Sequence, residues 1–539
     1  MVAEPTLAEV QSIVASLRNA AAPGEDGITA PMLKASPTSL SYLHRLLCLV
    51  WRLRKAPMQW KHALLVALYK GKGDKRACDN LRGISLLSIP GKVYAALLLR
   101  RLSQHLHSRL HEAQCGFVPG RGLTDAAFVL QQLMARSWSH AAPLYLAFID
   151  LRKAFDSVPR DALWRVLRAY GAPPLLVELL MDLHTGTQAA VRLGALKGEP
   201  FSVSCGVRQM CVIAPLLFNV FIDFVVRQAL ARMPSDCGVY AAFRSEGRSL
   251  PVVGADPTSD HIPLLMYADD MALTCPCPEQ LATFLGVMDD VCAECGLSIN
   301  ASKTEVMAVG REDVIPPLAP IVLRGGPVKQ VAQFKYLGSL VSADCSCGAE
   351  IKARIAKAGA AFHSLKHVWD SPLGVGLKSV VYATCVRSIL LFGGECWVPT
   401  TALTGRLNTF HNNCLRRIVG VRRSDMHSSS YLYERCAEHD IYTHLSVLRL
   451  RHYGHVQRML GARFPKRALC SGPPPGFEKR VEGRPRTQWS QLVDGDLASL
   501  AASLGVSCSS LDALHTNRSA WRGALLSLLP RRRESQFPS

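Results

Sequence analysis

Leu264-Leu265-Met266-Tyr267-Ala268-Asp269-Asp270-Met271-Ala272-Leu273-Thr274 places two adjacent carboxylates between two apolar runs of strand length. The pattern predicts a hairpin with both arms in the core and Asp269 and Asp270 at its turn. An isolated Asp-Asp pair is ordinarily a solvated surface turn. Here almost every flanking residue is apolar, so the pair sits at the end of core strands. Two like charges held there repel unless a cation lies between them. Oxygen-only ligands of this kind suit a divalent ion such as Mg2+.

A second apolar run, residues 143–151, carries one carboxylate near its end, Asp150. A charge in that position has to be paired or bound to metal. Three aspartates from two strands would make a platform for two metal ions and in-line attack at phosphorus. After Asp150 the chain turns, through Phe155, into a helix predicted over 159–170. A helix of buried character follows at 216–230. Its Asp223 reads as a hydrogen-bonded core acid rather than a fourth metal ligand.

Upstream, residues 63–69 read as a buried strand leading into Lys70-Gly71-Lys72-Gly73-Asp74-Lys75-Arg76. Glycines that let backbone N–H groups approach an anion, with Lys and Arg supplying charge, suit a phosphate holder. A solvated turn suffices for Lys75 and Arg76. Arg82 stands between a turn and an apolar run, where a guanidinium should have a fixed task. Gln114-Cys115-Gly116-Phe117-Val118-Pro119-Gly120-Arg121-Gly122 fits two readings equally, a close backbone approach to a ligand or strand and a plain tight turn. Helices are expected over 6–19, 40–51, 93–110 and 279–295. Beyond residue 350 the chain reads as mostly helical and basic, with a linker near 472–486.

The chain has 539 residues, 49% of them hydrophobic, which makes it globular and long enough for several domains. Its formal net charge is +20 and its pI about 9.4. Such an excess points to a polyanion, either nucleic acid or an anionic membrane surface. The most apolar stretch, 212–226, is broken by Pro215, Asn219 and Asp223 and is too short for a bilayer span. No signal peptide is visible. The 18 cysteines are scattered, which suits a reducing, intracellular compartment, the nucleus among the candidates. Cys292-Ala293-Glu294-Cys295 has no partner pair at zinc-ribbon spacing and reads as buried thiols. His411, Cys414, His452 and His455 have only loosely metal-like spacing.

Seven blocks in order, 80–87, 114–125, 148–156, 206–219, 267–270, 296–305 and 334–339, make the chain resemble a reverse transcriptase of non-LTR (LINE-like) retrotransposons. The resemblance covers about residues 5–345; a Tyr-Ala-Asp-Asp string alone would be weak. It implies an α+β right-hand polymerase of fingers, palm and thumb, with a mostly helical C-terminal region. The expected segments are a helical lead-in over 1–62, fingers over 63–140 and palm over 141–310. Primer grip and thumb would occupy 311–400, and a basic helical region 401–539. The implied activity is RNA-directed DNA synthesis by a two-metal mechanism, with Asp150, Asp269 and Asp270 as catalytic, metal-binding acids. Two Mg2+ ions are the expected cofactors, with Mn2+ as a substitute.

By the same resemblance, Arg82 would contact the incoming triphosphate, with Lys70 or Lys72 assisting. Phe155 would exclude a 2′-hydroxyl, Gln209 and Tyr267 would line the nucleotide pocket, and Lys303 would donate a proton to pyrophosphate. Tyr336, Leu337 and Gly338 would grip the primer. The expected partners are an RNA template, a DNA primer or target, and dNTPs, with no membrane. The clearest departure is Met210, where the family usually has Gly; Ala214 and Ala21 are milder ones. Met210 opens an alternative, an impaired copy that only binds nucleic acid. A metal nuclease using the same aspartates would leave Arg82, Phe155 and Gln209 without a role. No endonuclease or ribonuclease H acid set is expected. In the C-terminal region Arg416, Arg417, Arg422, Arg423, Lys479, Arg480, Arg484, Arg486 and Arg531-Arg532-Arg533 make a phosphate-binding surface plausible, although solvated helix faces account for many of these.

Overall fold

The computed structural model describes residues 3–71, 73–242, 244–245, 248–249, 260–310, 315–480 and 486–529. Lys72, residues 483–485 and Arg531-Arg532-Arg533 lie outside the described residues. Among the described residues two five-stranded sheets and four two-stranded ones are surrounded and extended by helices. In the second sheet the strand order is Leu264–Tyr267, Asp270–Cys275, Leu144–Ile149, Glu305–Val309, Lys329–Gln330. Leu144–Ile149 is buried along its whole length. That is why it reads as a continuous apolar run rather than as an alternating one.

The first sheet joins His62–Tyr69 antiparallel to Leu81–Leu87 and parallel to Gln188–Leu193. Residues 188–202, expected within the palm segment 141–310, therefore belong to this sheet and not to the one carrying the aspartates. Parallel pairing over so long a separation leaves no trace in local sequence. The strand at 63–69 is also less buried than expected. Only Leu64 is fully covered, while Leu68 is 51% exposed. Apolar composition alone does not say whether a sheet face is covered.

The helices fall where their periodicity puts them, Leu7–Ser16, Pro37–Leu53, Ile89–Leu106, Arg160–Ala169, Ala214–Leu230 and Pro278–Glu294. Thr6 and Glu9 close a reciprocal capping box on the first. Ser36 caps the second, with Pro37 at its first helical position. The main core runs through both the first helices and the second sheet, and it takes in Phe464 and Ala468 from the C-terminal region. That region is thus not a separate appendage. Two smaller cores hold the helices after residue 350, one around Trp397 and Leu415, the other around Trp489 and Trp521. Among the described residues no single helix is long and apolar enough to cross a membrane.

Candidate active site

The hairpin at 264–275 has the predicted form. Tyr267 pairs with Asp270, leaving Ala268 and Asp269 as the turn. Met271 pairs across to Ile149, so Asp150, the next residue, emerges beside Asp270. Ala268 has φ +58, a left-handed conformation that side chains rarely adopt. A buried amide holds it there. Gln114 Oε1 accepts hydrogen bonds from the N–H groups of Gly116 and Ala268, both at 2.9 Å. Cys115 N–H donates to Met266 O at 2.8 Å and Met266 N–H to Ala113 O at 2.9 Å. Of the two readings of residues 114–122, the close approach to a strand is the one adopted. Arg121, in that loop, donates to the carbonyls of His111 and Gln114 and pairs with Glu112.

Asp269 and Asp270 are both perturbed by their surroundings. Burial pushes the Asp269 carboxyl above its ordinary range, and the charge on Asp150 adds to the effect. Asp270 is pushed up to about 6 by restricted hydration, then by Asp269 and Asp150. Asp150 has a different environment. Its Oδ2 accepts from Asn300 Nδ2 at 3.1 Å and lies 3.6 Å from Lys303 Nζ. Asn300 N–H also bonds Asp150 O at 2.7 Å, and Asp150 N–H reaches Thr304 Oγ1. Carboxylate oxygens at adjacent strand ends are the donor type that suits a hard divalent ion. Among the described residues, no three acid, His or Cys side chains stand close enough together to hold a metal ion as they are placed. Asp150 instead faces Asn300 and Lys303.

Around this floor, Phe155 stacks on Phe218 at 4.3 Å and 18°. Gln209 Nε2 donates to both carboxylate oxygens of Asp156, at 3.1 and 2.9 Å. Gly206, at φ +78, lies so close to Asp156 that a Cβ would meet its backbone at 2.6 Å. The loop carrying Gln209 is therefore riveted to the turn that follows Asp150. Met210 stands at φ +69 with its side chain 60% exposed. Its backbone conformation explains why a glycine suits this position, and the side chain faces the surface rather than the protein interior. Tyr267 packs 6.2 Å from Phe117.

Arg82 and Lys70 are exposed on the first sheet, at the same end as the loop closed by Lys70 N–H to Asn80 O. The hairpin Gln333–Tyr336 and Ser339–Ser342 turns at Leu337 and Gly338, both with positive φ, as tight two-residue hairpins require. Phe334 stacks on Phe148 of the Asp150 strand at 4.0 Å. Tyr336 and Leu337 are buried, so only Gly338 of that trio is open at the turn. Its carbonyl accepts from Arg354 at 2.6 Å.

Asp223 is the core acid expected of it. It is fully buried and accepts from His111 N–H, Tyr170 Oη and Arg227 Nε. Two of the three histidines weighed as metal ligands have polar partners, while the buried His452 packs edge-on against Phe128 and its Nε2 has no hydrogen-bond partner. His411 bonds Tyr382 and the His439 carbonyl, while His455 pairs with Asp125. Cys292 is buried and its thiol is pushed up to about 12. Gln114, Asn300, Thr304 and Asp156 were not singled out from sequence. The polar Asn300 one turn before Lys303 was the available signal for that group.

The family model described as reverse transcriptase (RNA-dependent DNA polymerase) matches residues 70–341. Among curated proteins, the chain is 27% identical over 483 residues to a probable RNA-directed DNA polymerase from transposon BS of Drosophila melanogaster, covering 86% of this chain and 50% of that protein. It is 28% identical over 281 residues to the Pol polyprotein of the type-2 retrotransposable element R2DM of the same species, covering 52% and 24%. Against the RNA-directed DNA polymerase of mobile element jockey from Drosophila funebris, identity is 24%, covering 62% and 35%. The chain spans half or less of the length of these relatives.

Proposed function

The chain belongs to the reverse transcriptase (RNA-dependent DNA polymerase) family, and from that premise we propose that it adds dNTPs to a primer 3′-hydroxyl on an RNA template as a non-LTR retrotransposon polymerase. The observation that carries this reading is the register that sets Asp150 beside the Asp269–Asp270 turn. In it the second sheet is the palm, the first sheet belongs to the fingers, and the helices between residues 350 and 400 belong to the thumb, followed by the C-terminal region over 401–539. Asp150, Asp269 and Asp270 would hold Mg2+, with Mn2+ as a substitute, which when bound neutralises triphosphate charge and makes the primer hydroxyl a better nucleophile.

The chain's own residues do the rest. Arg82 and Lys70 orient the triphosphate from the first sheet by charge-assisted hydrogen bonds. Lys303 Nζ, exposed beside Asp150, can hand a proton to the departing pyrophosphate. Gln209 is held by Asp156 at the pocket wall. Gly338 presents the hairpin turn to the primer, with Tyr336 and Leu337 supporting it from beneath.

Primer extension on poly(rA) with dTTP and Mg2+ tests the reading; template binding without extension would favour the impaired copy. Strand cutting without dNTP would favour a nuclease.

Phe155 is fixed by its stack on Phe218, so its edge is a rigid barrier below the sugar. Phe155→Val should lower discrimination against ribonucleotides, by on the order of tenfold to a hundredfold. The check is the ratio of kcat/KM for dTTP and UTP; an unchanged ratio removes the gate role.

The impaired-copy alternative rests on Met210, whose left-handed backbone costs about 1 kcal/mol without glycine. Met210→Gly should raise both the melting temperature and the extension rate. A variant with neither gain would leave that alternative without its structural cause.

A further inference from the structure

Phe464 and Ala468 are buried in the same core as the catalytic strands, although they lie in the C-terminal region. The short helix they occupy, Phe464–Cys470, is fixed from several sides. Arg136 Nη2 donates to Ala468 O at 2.5 Å, and Arg467 Nε donates to Ala241 O at 2.9 Å. Phe464 meets the His111 ring edge-on. At the start of this helix, Arg463 Nε donates to Glu112 Oε1 at 2.5 Å, and Phe464 N–H reaches the same oxygen. The other oxygen of Glu112 accepts from Arg121 at 2.9 Å. Arg121 in turn donates to the carbonyl of Gln114 at 2.9 Å. Gln114 Oε1 holds the N–H of Ala268, next to Asp269.

These contacts form one continuous chain from the C-terminal region to the catalytic turn. We infer that Arg463, acting through Glu112, Arg121 and Gln114, is a positioning residue for the Ala268-Asp269 turn, an inference that rests on the polymerase reading above. The physical reason lies at Ala268. A residue held at positive φ needs its surroundings to over-determine it, and the clamp on Ala268 is only as stiff as the loop carrying Gln114. Arg121 has three carbonyls to satisfy and one carboxylate partner. Glu112 is kept in place for it by Arg463 from outside the loop. Replacing Arg463 leaves Glu112 tethered by Arg121 alone, and replacing Glu112 removes the carboxylate that Arg463 and Arg121 share, so either change frees Arg121 to shift.

The test uses the full chain with Arg463→Met, Glu112→Gln, their double variant and Arg463→Lys. In primer extension, Arg463→Met should lower kcat about tenfold with KM for dTTP within about twofold, the pattern of a displaced catalytic group. Arg463→Lys should recover most of the loss. The double variant should be no worse than the poorer single one, since both break one linkage. Amide hydrogen exchange supplies a readout independent of activity. The N–H groups of Gly116 and Ala268 should exchange about fivefold faster or more in Arg463→Met, while those of Leu144–Ile149 stay unchanged. Unchanged exchange at Ala268, single losses that multiply in the double variant, or exchange accelerated equally in Leu144–Ile149 would each overturn the inference. If the unaltered chain extends no primer, the polymerase reading fails instead, and the exchange comparison still decides the linkage.

Discussion

Asp269→Asn is expected to abolish primer extension while leaving the chain folded, with a melting temperature unchanged or higher. The side chains are nearly the same size, so the turn keeps its shape. What changes is charge. In the folded chain Asp269 and Asp270 both have carboxyls pushed above their ordinary range, by burial and by Asp150. Their ionised forms are therefore disfavoured by the fold near neutral pH, and removing one charge relieves repulsion. For activity the same change is ruinous if the cluster holds divalent ions. Metal ligation contributes several kcal/mol of transition-state stabilisation. Losing about 4 kcal/mol slows turnover on the order of 10³-fold. A variant that is no less stable and still extends primers would show that Asp269 binds no catalytic metal. The same experiment on Asp150→Asn separates the cluster from a lone acid, because Asp150 also anchors Asn300 and Lys303.

How much of this was legible depended on the range of the interaction. Asp150, Asp269 and Asp270 could be read because each is a charge at the end of an apolar run, and a buried strand tolerates such a charge only at its edge. Asp223 was legible for a different reason, since a lone acid in the middle of a buried helix has to be hydrogen-bonded. The pairing that makes those three neighbours was not, since register between distant strands is encoded jointly. Gln114 shows the limit well. Its role depends on Ala268 having a left-handed backbone, which Tyr267-Ala268-Asp269 does not announce. Met210 reads in the sequence as a departure from the family pattern through its side chain. In the structure that side chain is exposed, and the left-handed φ is what a glycine would relieve. Residues 188–202 and Phe464 went elsewhere than expected because their partners, His62–Tyr69 and the main core, are chosen by tertiary fit.

Gly116→Ala should be the most damaging change outside the carboxylates. An added Cβ would lie 2.5 Å from Ala268 N and 2.9 Å from Tyr267 C, with Gln114 Oε1 at 3.2 Å. The first two are backbone atoms and cannot rotate away. Either the loop lifts, breaking the Gln114 bond to Ala268, or the turn is pushed toward the cleft. Both outcomes displace Asp269. Overpacking of this kind costs about 1–3 kcal/mol of stability. A displacement near 1 Å can lower turnover on the order of 10²-fold. The comparison variant is Gly122→Ala, in the same loop, where an added Cβ meets nothing within 4 Å. Extension assays and thermal melts on the pair decide the matter. If Gly116→Ala keeps near-normal turnover, the turn is not held by close packing against this loop. If both variants lose activity alike, the loop acts by some means other than contact with Ala268. Loss in Gly116→Ala alone would mean that the catalytic turn is held in place by a glycine that contributes nothing to catalysis except the absence of a side chain.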